Sequence, residues 1–311
     1  MIKIQENVPL AQYTTFKIGG PARFFVCAEN ENDLSEALEY SAKNDLKVFV
    51  LGGGSNILVS DQGFDGLVVK IENKDLKIEG DLLECGAGAV LFDAVKAAAE
   101  KSLSGFEWAA GIPGSFGGAV RGNAGAFWGD MSMNIESVRA ICDENGKLEI
   151  REFSNGSCEF GYRSSYFKKV GNAVIISAKM RFKAGDKEKS LAEMADIVRK
   201  RVTKQPQDMP SAGSFFQNPI VENLELVKKF EQDIGAPSRG GKVAAGWLID
   251  QSGLRGKKIG GAMISEKHAN FLVNAGGAKA EDIVILVSYV KQQVRDKLGV
   301  QLVEEVQYVG F

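Results

Sequence analysis

Leu51-Gly52-Gly53-Gly54-Ser55-Asn56 follows directly on the apolar run Val48-Phe49-Val50. A second glycine-rich stretch runs from Gly111 through Pro113, Gly114, Ser115, Gly117 and Gly118 to Asn123 and Gly125. Glycine has no Cβ, so its backbone N–H can come close to a ligand and can adopt the φ > 0 conformations that turn successive amides toward one anion. A single run of three glycines is equally well read as a tight turn between strands. The second stretch is not, because its six glycines around one proline exceed what one turn requires. Two such stretches far apart in one chain point to a large, multiply charged ligand held from two sides.

The common nucleotide loops are absent. No G-x-x-x-x-G-K-[ST] occurs, and G-x-G-x-x-G fails from Gly52, where Ile57 takes the last position, and from Gly54, where Asn56 takes the second. A P-loop kinase and a simple Rossmann dehydrogenase are therefore disfavoured. Outward from the first loop, Val48 to Leu51, Leu67 to Ile71 and Leu82 to Cys85 read as strands. Asn32 is placed to cap a helix carrying Leu34, Ala37, Leu38 and Ser41, closed at Asn44-Asp45, and Phe92 to Lys101 reads as an alanine-rich helix. Val138 to Phe182 reads as mostly short strands, including Ala173 to Ala178. Past Ala184 the pattern turns helical: Leu191–Val202, Val221–Phe230, Val243–Gln251 and Ala280–Leu298, the last with an apolar stripe from Ile283 to Val294 and Gly299 as its stop. Gln301 to Val309 reads as a final strand that returns to the N-terminal domain.

The chain has 311 residues, 44% hydrophobic and 25% charged, the make-up of an ordinary globular protein with room for two or three domains. A formal charge of -2 makes no electrostatic case for nucleic acid or an anionic membrane as partner. No apolar run approaches the ~20 residues that span a bilayer, and the first residues lack the apolar core of a signal peptide. A cytoplasmic protein is expected. Cys27, Cys85, Cys142 and Cys158 show no metal-binding spacing, so reduced, mostly buried thiols and no metal site are expected.

His268 is the only histidine, and no G-x-S-x-G elbow accompanies it, so a Ser-His-Asp triad has no local support. It precedes an apolar run and reads as a structural residue at a strand start. Tyr162-Arg163 places a guanidinium among aromatics, which suits a planar anion such as a carboxylate as well as it suits simple stacking on tyrosine. Ser211-Ala212-Gly213-Ser214-Phe215-Phe216 sets a small hydroxyl between a glycine and two phenylalanines; taken alone, it is also an acceptable surface turn.

Together these segments resemble the UDP-N-acetylenolpyruvoylglucosamine reductase (MurB) family. The resemblance rests on Thr14 to Ala22, Gly52 to Asn56, Gly111 to Gly125, Tyr162-Arg163, Ala212 to Pro219, Ser265 to Asn274 and Glu304-Glu305-Val306, in that order. It implies an α+β chain with an FAD-binding fold of the vanillyl-alcohol oxidase (PCMH) type. Residues 1–72, rejoined by 300–311, and residues 73–185 would form two flavin-binding subdomains, and 186–299 an α+β substrate-binding domain. The family are NADPH-dependent flavoenzymes that reduce UDP-N-acetylglucosamine enolpyruvate to UDP-N-acetylmuramate for bacterial peptidoglycan, and so serve cell shape and division. FAD would be non-covalent, since no histidine lies in the first 267 residues and the cysteines lie outside the matching loops.

The resemblance also implies roles. Gly52, Gly53, Gly54, Ser55 and Asn56 would face the FAD pyrophosphate. Gly111, Gly114, Ser115, Gly118, Asn123 and Gly125 would wrap the flavin and adenosine. The hydride would pass from flavin N5 to the terminal alkene carbon. Arg163 would bind the substrate carboxylate and stabilise the enolate-like charge, Ser214 would protonate the carbon next to it, and Glu305 would position or polarise the carboxylate. Lys204 would support Ser214 as a nearby cation and contact substrate, Asn218 would meet the diphosphate or sugar, and Tyr162 would line the substrate site. Alternation puts Glu304 and Glu305 on opposite faces, and the family's spacing to Val306 and Gly310 selects Glu305, although Val303-Glu304 replaces the family's common Glu-Pro. The short span from Arg163 to Ser214 matches the subtype without the tyrosine-loop insertion. Tyr162, Phe215 or a residue of the third domain would then cap the UDP-sugar. The expected partners are the UDP-sugar substrate and NADPH, the chain acting as a monomer. Another FAD-dependent oxidase of the same fold is the competing reading.

Overall fold

The computed structural model describes residues 2–144, 146–238 and 240–311. Its chain divides into two compact units. The first comprises residues 1–8, 22–53 and 65–203, and the second comprises 9–21, 54–64 and 204–311.

The first unit holds a four-stranded sheet in the order Gln5–Pro9, Pro21–Ala28, Phe64–Ile71, Val48–Leu51. The last two run parallel, Val48 opposite Leu67. A five-stranded antiparallel sheet follows in the order Lys147–Ser154, Ile135–Glu144, Ala173–Arg181, Leu82–Gly86, Leu76–Glu79. Two of these strands are long, not short as the sequence pattern suggests. Both lie inside the sheet with a partner on each side, and consecutive residues are buried, Ala140 to Cys142 in Ile135–Glu144 and Ile175 to Ala178 in Ala173–Arg181, so they run to ten and nine residues. The helix Leu91–Glu100 buries Leu91, Ala94, Val95, Ala98 and Ala99, one stripe at helical spacing, into this unit's core. The helix Glu31–Lys43 is capped by Asn30 rather than Asn32: the Asn30 Oδ1 accepts from the Asp33 N–H at 3.0 Å, one turn into the helix.

In the second unit an antiparallel sheet runs Ser211–Ser214, Phe271–Asn274, Ala262–Ile264, Lys258–Ile259. The helix Ala280–Leu298 buries Ile283, Leu286, Val287, Val290 and Val294 against a core that includes Phe215, Phe216 and Leu272, and Gly299 closes it at φ 69°. Its first amides have no partner within the helix. Asp61, more than two hundred residues earlier, supplies one: its two carboxylate oxygens accept from Ala280 N–H at 2.9 Å and Glu281 N–H at 3.2 Å. The final strand is Gln307–Val309, shorter than the expected Gln301–Val309, and pairs in parallel with Ile57–Val59.

Candidate active site

The glycine stretch after Val48–Leu51 is shared between the units, Gly52 and Gly53 in the first and Gly54, Ser55 and Asn56 in the second. In the first unit the two glycine stretches lie against each other. A Cβ on Gly52 would stand 2.4 Å from Ser115 Oγ, and one on Gly53 would stand 2.5 Å from Gly114 Cα and 2.8 Å from Ser115 N. At Gly53 the clash is with backbone, so only hydrogen there lets the loops meet. Around the contact, the N–H groups of Gly52, Gly53, Gly114 and Ser115 have no hydrogen-bond partner among the described residues. Backbone amides are seldom left without one, and four together form a donor cradle of the kind an anion fills. The short helix Phe116–Gly122 is not that donor. Its Phe116 and Gly117 amides go to Ala89 and Ala87 carbonyls at 2.8 and 2.9 Å, and Gly118 N–H goes to the Ser115 hydroxyl at 3.3 Å.

Asn123 ends this helix in the left-handed region at φ 43° and is buried. Its Nδ2 donates to the Gly161 carbonyl and its Oδ1 accepts from Ser132 N–H, both at 3.0 Å. The side chain read as a cofactor contact thus ties three segments of the first unit together. One of them is the turn that carries Arg163. Gly161 and Ser164 pair through 3.0 and 3.1 Å backbone bonds, leaving Tyr162 and Arg163 at the tip, Arg163 at φ 53°. The Arg163 Nη2 donates to the Gly125 carbonyl at 2.9 Å, and its guanidinium lies 5.3 Å from the centroid of the Tyr162 ring. The Lys168 ammonium grips the Arg163 carbonyl at 2.8 Å. The guanidinium is therefore aimed before any ligand arrives. Gly111, at the start of the stretch, packs on Arg201.

In the second unit Ser214, Glu305 and Asn56 come together. Gly213 takes φ 77° at an irregularity in the pairing of Ser211–Ser214 with Phe271–Asn274, and half-buried Ser214 stands opposite Phe271. The next residue, Phe215, is the junction: its N–H donates to the Asn270 carbonyl and its carbonyl accepts from Glu305 N–H, both at 2.8 Å. Asn56 Nδ2 donates to the Glu305 carbonyl at 3.2 Å, and the Asn56 carbonyl accepts from Gln307 N–H at 3.0 Å. So the Glu305 backbone is held on one side by the serine segment and on the other by the residue ending the glycine loop. Glu304 is engaged elsewhere. It is 23% exposed, and both its carboxylate oxygens take the Lys291 ammonium, at 2.9 and 3.1 Å.

Two residues of this arrangement were quoted in the sequence motifs without a role. Asn270 is buried, and its amide clamps the Phe216 backbone: Oδ1 accepts from Phe216 N–H at 3.0 Å and Nδ2 donates to the Phe216 carbonyl at 2.8 Å. Thr15 receives the Gly54 loop and the serine strand together, its hydroxyl donating to the Ser211 carbonyl at 2.7 Å and its N–H to the Gly54 carbonyl at 3.1 Å. An amide within an apolar run such as Ala269 to Val273 is the signal that could have found Asn270, because a buried amide needs partners. His268 uses Nδ1 to accept from Asn270 N–H at 3.3 Å and stacks edge-on to Phe271. Ser55 is half-buried and Lys204 exposed, while exposed Asn218 accepts from Ala245 N–H at 3.0 Å, at the start of the helix Ala245–Gln251. Phe215 is fully buried and so presents no face to a sugar, whereas Tyr162 is 45% exposed. Among the described residues no group of three or more His, Cys, Asp or Glu could hold a metal ion, and no helix is long and apolar enough to cross a membrane.

Residues 205–309 match the family model for the C-terminal domain of UDP-N-acetylenolpyruvoylglucosamine reductase, and residues 22–150 match that of an FAD binding domain. A UDP-N-acetylenolpyruvoylglucosamine reductase of Solibacter usitatus is 38% identical over 310 residues, 99% of this chain and 97% of the relative. The chain belongs to the UDP-N-acetylenolpyruvoylglucosamine reductase family. One of Clostridium perfringens is 40% identical over 309 residues, covering 99% of this chain and 93% of its own. The crystal structure of the family's member from Thermus caldophilus matches with a TM-score of 0.78 at 32% identity, covering 99% of this chain and all of that one. The fold is accordingly the α+β, FAD-binding type that the resemblance implies.

Proposed function

We propose that this protein is an NADPH-dependent flavoenzyme that reduces UDP-N-acetylglucosamine enolpyruvate to UDP-N-acetylmuramate, a cytoplasmic step in peptidoglycan precursor synthesis. Membership of the reductase family supports the reaction. The observation that carries the assignment of residues is the backbone bond from Glu305 to Phe215, which sets a carboxylate and the Ser214 hydroxyl on adjoining segments. FAD fits the chain: the match to an FAD binding domain includes Gly52, Gly53, Gly114 and Ser115, whose four amides lack partners among the described residues. Bound there, it supplies a two-electron carrier that accepts hydride from NADPH and delivers it to the alkene. Attachment is non-covalent: Cys85, Cys142 and Cys158 are buried and Cys27 half-buried, and burial raises all four thiols, Cys85 and Cys158 to about 12, away from the reactive thiolate form.

Arg163 binds the substrate carboxylate and stabilises the negative charge that grows there as hydride arrives. Its orientation is set in advance by Gly125 and Tyr162, and preorganised donors of this kind are worth about 3–4 kcal/mol each in a barrier. Ser214 holds a proton at any working pH and gives it to the carbon beside the carboxylate; Lys204 is the cation that supports the resulting alkoxide. Glu305 positions the carboxylate, and the Lys291 ion pair withdraws Glu304 from that task. Tyr162 and Asn218 contact the UDP-sugar. Gly54, Ser55 and Asn56, with Gly111, Gly118, Asn123 and Gly125, shape the flavin site, the last four largely by holding loops in place. Residues 1–72 with 300–311, and 73–185, form the two flavin-binding subdomains, and 186–299 the domain that supplies Lys204, Ser214 and Asn218 to the substrate. The protein works as a monomer.

The test is stopped-flow reoxidation of the NADPH-reduced enzyme by UDP-N-acetylglucosamine enolpyruvate without oxygen. Fast return of the oxidised flavin spectrum is expected. Reoxidation by oxygen alone would replace the reductase with an oxidase of the same fold.

A further inference from the structure

The helix Lys187–Lys204 shows its inner face through Ser190, Met194 and Ile197, all buried. Continuing that face by four residues reaches Arg201. Its neighbours illustrate the contrast. Lys200 pairs with Asp196 at 2.6 Å, and Arg199 pairs with the same carboxylate, on the exposed side. Arg201, one step round, is half-buried and has neither an ion pair nor a hydrogen bond among the described residues. Burial pushes its pKa below the ordinary arginine value, and desolvation is the only cause. A guanidinium carries five N–H donors and stays charged, and leaving such a group desolvated without a counter-charge is costly. The C-terminal end of its own helix offers partial negative charge, but among the described residues Arg201 donates to none of its carbonyls.

The side chain lies on the second glycine stretch. A Cβ on Gly111 would stand 3.0 Å from Arg201 Cδ and 3.4 Å from its Nε, so glycine is what admits the arginine stem there. Gly111 takes φ 82° and opens the loop that ends, three residues later, at the partnerless amides of Gly114 and Ser115. Among the described residues, this loop thus packs at one end on a cation without a partner and carries at the other two donors without one.

We infer that Arg201 is the counter-charge for a negative group of the bound FAD. The inference rests on the flavoenzyme reading above. FAD has two such groups, the diphosphate, charged in both redox states, and the isoalloxazine ring, charged once reduced. Both present to Arg201 the same chemistry, an oxygen- or nitrogen-borne anion in a dry site.

The experiment uses the full chain, stripped of FAD and reconstituted, comparing the parent with Arg201→Met and Arg201→Lys. Two quantities are read: the Kd for oxidised FAD, by fluorescence quenching, and the midpoint potential of the bound flavin. If the diphosphate is the partner, Arg201→Met raises Kd about tenfold or more, the loss of a charge-assisted bond, and leaves the potential unchanged. If the reduced ring is the partner, the potential falls while Kd for oxidised FAD barely moves. In either case Arg201→Lys recovers part of the change. Equal Kd and potential in all three proteins would overturn the inference, as would a defect confined to binding of the UDP-sugar. Melting of the apoproteins guards against a misfolded variant, and Arg201→Lys keeps the comparison decisive if Arg201→Met does not fold. A parent protein that takes up no FAD at all would instead overturn the flavoenzyme reading.

Discussion

The glycine cradle of the first unit and the serine segment of the second are positioned by opposite means. At Gly53 the backbone touches backbone, since a Cβ there would come within 2.5 Å of Gly114 Cα. At Ser214 side chains reaching to main chain add to the backbone pairing of the strand: Asn270 clamps Phe216, Thr15 bonds Ser211, and Asn56 bonds Glu305. A backbone contact tolerates no added atom, because nothing in it can rotate away. A side-chain clamp can be weakened by degrees. The first arrangement suits a cofactor that stays in place, and the second suits a segment whose residues must meet a reactant that comes and goes.

Substitutions can break or sharpen that contrast. The largest effect is expected from Ser214→Ala. Substrate reduction should slow by roughly 10²–10⁴, the usual weight of a proton donor, while flavin reduction by NADPH stays near the parent rate. Stopped-flow traces of the two half-reactions separate them, and equal loss in both would make Ser214 structural. Next come Gly53→Ala and Asn270→Ala. Overpacking at Gly53 should cost about 1–3 kcal/mol and show first as lost FAD. Asn270→Ala should cost a similar amount, about 1–3 kcal/mol for the Phe216 groups left unpaired, but retain FAD and lose turnover. Denaturant melts with flavin content report both, and loss of flavin in Asn270→Ala with none in Gly53→Ala would reverse the assignment of the two regions. The smallest effect belongs to Glu304→Gln. The Lys291 pair is partly exposed and worth at most about 1 kcal/mol, so turnover should be nearly unchanged, in contrast to Glu305→Gln. A larger turnover defect in Glu304→Gln would transfer the role to Glu304.

The element order was largely legible. Ala280–Leu298 with Gly299 follows from an apolar stripe and a left-handed stop, both local properties of the chain. The long strands Ile135–Glu144 and Ala173–Arg181 read as shorter pieces, because their length depends on pairing with each other, a contact between residues far apart in sequence. The Asn30 cap was misplaced by two residues for a similar reason: both asparagines can cap, and the chain path before the helix decides. Among the candidate residues, Arg163 and Ser214 stood out by their neighbours. Asn123 carries the chemistry of a ligand contact, and the fold adds what its sequence did not show, that its amide also bonds Gly161 and Ser132.

By itself the sequence determined the family, the glycine positions and the residue types able to hold a carboxylate and deliver a proton, because those are properties of composition and order. Only the tertiary structure decided which groups have partners. It showed that the two glycine stretches touch, that Glu304 is paired, that Asn270 and Thr15 hold the serine segment, and that Arg201 is left with none among the described residues. Hydrogen bonds and ion pairs act over a few ångströms, and the chain brings its distant residues that close only when folded.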